Sequence, residues 1–380
     1  MAEIELGARR IQLQKEPTMS VTASPKKEKK EPKNAKFKFE VPTIKYSDVI
    51  GMRRPKALLH KLLELPLRKP QEFMDLKINK SIGIILYGPP GTGKTLITKA
   101  VCGELQIKMC YVAIGSVMSK YVGESSKNVQ EVFKLAKKNQ PDAIFIDEAD
   151  VLLQSRDEIS NEGGSTELKQ AVSQMLQETS LVHDDKASHI YMLASTNAPW
   201  SIDQAHRRSG RFEYLIYIPA PTIWERRKLI RHYLRANDPL TQAKFGNINY
   251  TLLALATSWY SPADVEKIVK IAKINAIERK KVLITTRSLQ KALWSKEGGK
   301  SSLDAWYMNM AVKYLPQRRS FWKSLASKKY RNAEEKKVKF DRADLELYKE
   351  MVGDIKHYMR HRIMMRMVRL FGRGMPIITT

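Results

Sequence analysis

Two short stretches carry residue types at spacings suited to phosphate chemistry. The first is "GPPGTGKT", Gly88 to Thr95. Gly88, Gly91 and Gly93, set among Pro89, Pro90 and Thr92, let the backbone curl so that its N–H groups point inward at phosphate oxygens. Lys94 can bridge β- and γ-phosphates and the Thr95 hydroxyl can ligate Mg2+. The loop opens a helix, whose N-terminus adds positive dipole, and the nucleotide-binding stretch runs on to Leu96. The second stretch is "IFIDEAD". Its apolar run ends in two acids, Asp147 to hold Mg2+ through its waters and Glu148 to act as general base on an attacking water. Asn197, closing "LASTN" further on, offers an amide that can orient that water or sense the γ-phosphate.

Such groups need strand ends to hold them. Residues 81–88, 142–148, 190–196 and 214–221 are short continuous apolar runs, the pattern of strands buried on both faces of a parallel sheet. Helical spacing separates them, as in Val129, Val132, Phe133 and Ala136. Alternating strands and helices predict a doubly wound α/β layer over residues 41–221. After Pro221 helical segments take over, predicting a small helical domain over 222–294. Residues 295–380 form a third, basic and mostly helical extension, with a long helical pattern from about Asp341 to Phe371. Residues 1–40 read as a disordered basic tail, because lysine runs and prolines leave too little apolar surface to offset ordering entropy.

The chain has 380 residues, 43% hydrophobic, with a net charge of +27. No stretch is apolar enough to span a bilayer and the first residues lack a signal-peptide layout, which predicts a cytoplasmic protein. Cys102 and Cys110, without a CxxC partner, read as buried free thiols. His357 and His361 share a helical face, but "HYMRH" lacks the glutamate of a zinc protease motif. The positive excess is densest beyond residue 295, where 20 basic side chains face 9 acidic ones. That balance favours anionic partners, nucleic acid or acidic protein, unless it is a solvated lysine-rich surface.

The order and spacing of "SDVIGM", "GPPGTGKT", "SKYVGESSKN", "IFIDEADVLL", "ASTNAPWSID", "RRSGRFE" and "YSPADVEKIV" resemble a single AAA-family ATPase module over about residues 44–294. The likeness is strongest to the group containing katanin, spastin and the ATPase that disassembles ESCRT filaments, with valosin-containing protein similar around "SIDQAHRRSGRFE". The resemblance implies a P-loop AAA fold with a helical lid, ATP and Mg2+ as cofactors, and Asp48, Ile50, Gly51 and Ala263 beside the base, with Leu229 and Tyr233 as lid contacts. Where the family usually has glycine, this chain has Pro262, which removes a backbone N–H near the adenine. The extension beyond 294 lies outside the resemblance.

The same resemblance gives Arg208 and Arg211 of "RRSGRF" the role of reaching a γ-phosphate in the next subunit, and so implies a homo-oligomeric ring of six. Lys120, Tyr121 and Val122 match a pore loop that grips extended polypeptide, and "QSRDEISNEGGSTE" matches a second one, tinted acidic by Glu158, Glu162 and Glu167. The leading expectation is an ATP-driven remodeller of protein assemblies. The alternative is a nucleic-acid-associated ATPase using the extension, where "FWKSLASKKYRN" interleaves aromatics with lysines. The stretch "KHYMRHRIMMRMVRLFGR", mixing arginines with methionines, supports the same alternative, and reads equally as an amphipathic helix docking on a partner or an anionic membrane, or as a helix packed on the lid.

Overall fold

Alternate residues of each central strand serve opposite cores, and this two-residue period organises the molecule. A computed structural model describes residues 36–119, 121, 123–138, 140–154, 159, 166–235, 247–278, 284–295, 297–298, 301–314 and 348–371 of the chain. Its strands are β1 (Phe39–Glu40), β2 (Ile82–Tyr87), β3 (Lys108–Val112), β4 (Asp142–Ile146), β5 (Ile190–Thr196) and β6 (Tyr214–Tyr217), in the order β1-β3-β4-β5-β2-β6. All pairings are parallel except that of β1 with β3. Ile82, Ile84 and Leu86 enter one core with Phe145, Tyr191 and Leu193, while Ile85 and Tyr87 enter the other with Ile144, Ile146 and Met192. Every residue of β2, β4 and β5 is buried, as a parallel sheet covered on both sides requires.

Helices α1 (Arg53–Arg68), α2 (Pro70–Asp75), α3 (Lys94–Glu104), α4 (Ile114–Val117), α5 (Glu124–Lys138) and α6 (Thr166–Asp184) accompany the strands. On α5 the buried positions include Val129, Val132, Phe133 and Ala136, the stripe expected from their spacing. After β6 come α7 (Ile223–Arg235), α8 (Tyr250–Ala256), α9 (Pro262–Glu278) and α10 (Thr286–Trp294), which share a separate core around Leu234, Ala254, Val265 and Ala292. Arg226 stitches α7 down: its Nε donates to the Ala254 carbonyl at 3.1 Å and a terminal nitrogen to that of Pro221 at 2.6 Å.

Among the described residues two helices follow, α11 (Ser302–Tyr314) and α12 (Lys349–Phe371). Their buried side chains, among them Leu303, Tyr307, Met351, Ile355 and Tyr358, belong to the same core as one face of the sheet. Tyr348 donates to the Pro199 carbonyl at 3.1 Å, and Tyr217 donates to Asp354 at 2.9 Å. The apolar side of the described part of α12 therefore turns inward, while Lys356 and Arg360 are exposed. Met351 and Ile355 are 0% exposed, a burial that contributes about 1.5–3 kcal/mol for each side chain. Trp322 and residues 341–347 lie outside the described residues.

The expected tail must be shortened. Phe37 and Phe39 are buried, and Phe39 and Glu40 pair with Cys110 and Met109, so ordered structure begins before residue 41. Two phenylalanines at a spacing of two supply the apolar face that the preceding lysine runs lack. Residues 1–35 lie outside the described residues. Among the described residues no helix is long and apolar enough to cross a membrane.

Candidate functional site

The register of the sheet brings the sequence-marked residues to one edge. Tyr87 pairs with Thr196 and Ile146 with Ala194, so the chain leaves β2, β4 and β5 at one level, delivering Gly88, Asp147 and Asn197 side by side. Beyond the strands the Ala149 N–H still bonds the Ser195 carbonyl at 2.8 Å, which fixes the turn bearing both acids. Ligands of open parallel sheets gather at such carboxyl ends.

Gly91 and Gly93 take φ of 71° and 93°, the left-handed region that glycine enters without a Cβ clash. A Cβ on Gly91 would stand 3.0 Å from the Ser261 hydroxyl and one on Gly93 would stand 3.1 Å from the Met52 methyl, so the loop is a cradle only glycine leaves open. Thr92 is buried and donates to the Pro89 carbonyl at 2.9 Å, bracing the turn. Lys94, 7% exposed, points its ammonium at the carbonyls of Gly88 (3.1 Å) and Pro89 (2.8 Å) and at Asn197 Oδ1 (2.7 Å). Burial pushes that ammonium down to about 8, with Asp147 and Asp150 pulling the other way. Leu96 is 37% exposed on the first turn of α3.

Asp147 is the hub of the acidic side. Its carboxylate accepts from the Thr95 hydroxyl at 2.9 Å, the Tyr111 hydroxyl at 3.1 Å, the Glu148 N–H at 3.1 Å and the Ser195 hydroxyl. Thr95 and Asp147 are hard oxygen donors held within contact of one another, a set that suits Mg2+. Glu148 is exposed and holds φ at 52°, a conformation uncommon for a residue with a side chain. Its neighbour Asp150 accepts from Thr196 at 2.7 Å, anchoring the turn to β5.

The expected base-side residues fall into two groups. Asp48 caps its own turn, accepting from the Lys45 N–H at 2.9 Å, whereas Ile50 packs against the α7–α10 core with Tyr233, and Leu229 is buried within it. Gly51 has φ of 78°, and the next N–H, that of Met52, donates to Glu225 at 2.9 Å. The Ala263 N–H approaches the Gly91 carbonyl at 3.4 Å. Pro262 is the first residue of α9, where a backbone N–H has no intrahelical acceptor, so the exchange of glycine for proline leaves the helix ladder intact.

The arginines differ from each other. Arg208 is exposed, but Arg211 is tied to its own chain, donating from Nε to Ser180 at 3.0 Å and from a terminal nitrogen to the Ala205 carbonyl at 2.6 Å. Tyr121 is 72% exposed, and the N–H of Gly123 beside it donates to Glu167 at 3.2 Å. Glu167, one of the acids of the segment matching a second pore loop, is thus buried and engaged; Lys120, Val122, Glu158 and Glu162 lie outside the described residues.

Cys102 and Cys110 are free and buried, and burial pushes each thiol up to about 12. His357 and His361 set their rings 5.5 and 6.1 Å from Trp259, and among the described residues no group of three or more His, Cys, Asp or Glu could hold a metal.

Residues 84–220 match the profile described as ATPase family associated with various cellular activities (AAA). Over 280 residues the chain is 32% identical to the proteasome-activating nucleotidase of Pyrococcus furiosus, covering 73% of this chain and 68% of that protein. The chain belongs to the AAA family of ATPases. It is also 36% identical over 260 residues to the cell division cycle protein 48 homolog of Archaeoglobus fulgidus, covering 68% of this chain and 34% of the relative. With the proteasome-activating nucleotidase of Sulfurisphaera tokodaii it shares 32% identity over 67% of this chain and 63% of that protein. It therefore spans about a third of the cell division cycle protein 48 homolog by length and about two thirds of the nucleotidases.

Sequence reasoning passed over Tyr111 and Ser195 on Asp147, Met52 against Gly93, Glu225 under Met52, and Trp306, whose indole N–H donates to the Asn197 carbonyl at 3.2 Å. Their signal was positional. Tyr111 is the next-to-last residue of β3, a strand that no apolar run marks, and Ser195 stands two residues before Asn197 in "LASTN".

Proposed function

We propose that this AAA ATPase hydrolyses ATP with Mg2+ in a ring of copies, six in number, and uses the cycle to pull on polypeptide and remodel a protein assembly. The observation that carries the reading is the meeting of groups from three strand ends: Lys94 on Asn197 at 2.7 Å and Thr95 on Asp147 at 2.9 Å. Gly88 to Leu96 would cradle the phosphates, with Thr95 and Asp147 holding Mg2+. When bound, the metal supplies positive charge against the oxygens of the transferring group. Glu148, exposed beside Asp147, takes the proton from water, and the Asn197 amide orients that water.

Arg208, exposed, reaches the site of a neighbouring copy, while Arg211, fastened to Ser180 and Ala205, keeps the segment in place and faces the same boundary. Tyr121, 72% exposed on a loop tied to Glu167, supplies sequence-tolerant aromatic contact for an extended chain. The relatives' name, proteasome-activating nucleotidase, supports a protein as the substrate.

Glu148→Gln tests the reading. Turnover should fall by about 10²-fold or more while ATP stays bound, measured as phosphate release against retained nucleotide on the purified variant. Unchanged turnover removes Glu148 from the role of base.

A further inference from the structure

Asn197 is held at two points, and only one belongs to the phosphate site. Its side-chain oxygen accepts from Lys94, but its backbone carbonyl lies beyond the last ladder pair of β5 and accepts from the indole N–H of Trp306 at 3.2 Å. Trp306 is 8% exposed, so water is a poor substitute for that donor. The indole has a single N–H and no acceptor, which makes the contact directional.

The helix that carries Trp306 begins one turn earlier at Ser302, about 6 Å away along its axis. There the Ser302 N–H and hydroxyl both donate to Asp264, at 3.0 and 2.8 Å, and the hydroxyl lies 3.2 Å from that of Ser261. Ser261 and Asp264 stand at the head of α9, joined by the Ser261 N–H donating to Asp264 at 3.0 Å, and Ser261 lies against Gly91 of the phosphate loop. A single turn of α11 thus links the lid helix over the loop to the carbonyl of Asn197, from a segment outside the family match at 84–220.

We propose that Trp306 is a positioning residue for Asn197: its N–H fixes the Asn197 carbonyl, so that α11, anchored on Asp264, makes the stance of the Asn197 amide follow the position of the lid. This inference rests on the role given to Asn197 above. If α9 moves relative to the sheet, the Asp264–Ser302 pair and the Trp306–Asn197 bond move together or one of them breaks. The amide is then aligned only for one lid position.

Trp306→Phe keeps an aromatic ring against Tyr307 and removes the N–H. In nucleotide-free protein, hydrogen exchange of the segment 195–202 should quicken about three- to tenfold, the range expected for one lost hydrogen bond, with the melting midpoint lowered by only a few degrees. Turnover should fall by a similar factor while the dissociation constant for ATP, measured directly in the Glu148→Gln background, stays within about twofold. In an Asn197→Ala background the same substitution should reduce turnover no further. Ser302→Ala, which removes the hydroxyl bond to Asp264 but keeps the N–H one and does not touch the indole, should quicken the same exchange by less. Unaltered exchange or unaltered turnover in Trp306→Phe, or a full additional loss in the Asn197→Ala background, overturns the proposal. Full turnover in Asn197→Ala alone would instead overturn the role of Asn197, while the exchange readout would still decide whether Trp306 holds that segment.

Discussion

The strand ends that carry Lys94, Asp147 and Asn197 and the two helices after residue 301 are held in place by opposite means. At the strand ends, short polar side chains on a regular ladder satisfy one another: Thr95, Ser195 and Tyr111 all converge on Asp147. The helices are fastened by large aromatics with one polar tip each: Tyr307 and Tyr358 stack at 4.9 Å, Tyr348 reaches the Pro199 carbonyl and accepts from Arg207, and Trp306 reaches Asn197. The first arrangement leaves room for a ligand. The second fills space and sends single hydrogen bonds back to the loops around the first, so α11 and α12 act as a wall beside those strand ends.

That contrast can be broken at several points. The largest effect is expected at the exposed arginine, where Arg208→Ala should cut ATP turnover on the order of 10³-fold while each copy still binds ATP. Steady-state hydrolysis beside direct nucleotide binding checks this, and a parallel loss of binding would place Arg208 in its own site. Next comes the wall itself. Ile355→Ala opens a cavity at a 0% exposed position, and about 2–5 kcal/mol of stability should be lost in urea unfolding of the whole chain. A negligible change would mean that α12 is a loosely docked appendage.

The smallest effect concerns pH. Burial and Lys80 push His189 down to about 4, and its Nε2 lies 2.7 Å from the Tyr191 hydroxyl. The unfolded chain takes up this proton near pH 6.5, so the stability held by neutral His189 is complete above about 6.5 and drains away as pH falls towards 4. Melting midpoints between pH 7 and 5 should drop less in His189→Gln than in the native chain. Equal slopes would show that other groups set the acid limit.

Much of the first region is legible in the sequence because its rules are local. A glycine-rich loop after an apolar run, and two acids ending another, say what they do by position, and the buried runs at β2, β4 and β5 announce themselves, whereas the apolar run at β6 suggests burial on both faces but forms an edge strand that leaves Tyr214 37% exposed. The strand β3 does not, since "KMCYV" opens on lysine and leaves Tyr111 45% exposed. Phe37 and Phe39 were obscured by the lysines around them. The inward packing of α12 is non-local: Met351, Ile355, Tyr358 and Met359 fix an apolar face, but nothing in their spacing says whether it meets a membrane, a partner or the sheet. Arg208 and Arg211 share a motif, and only the fold separates the one left exposed from the one already tied to Ser180.

The central claim is that a site built by one copy is completed by Arg208 from the next. Mixing answers it most directly: Lys94→Ala subunits, unable to hold phosphates, are combined with Arg208→Ala subunits, whose own phosphate loop is intact. Hydrolysis well above either variant alone is the predicted result, because an intact arginine then faces an intact loop across some boundaries. No recovery in mixtures shown to form joint rings would contradict the account.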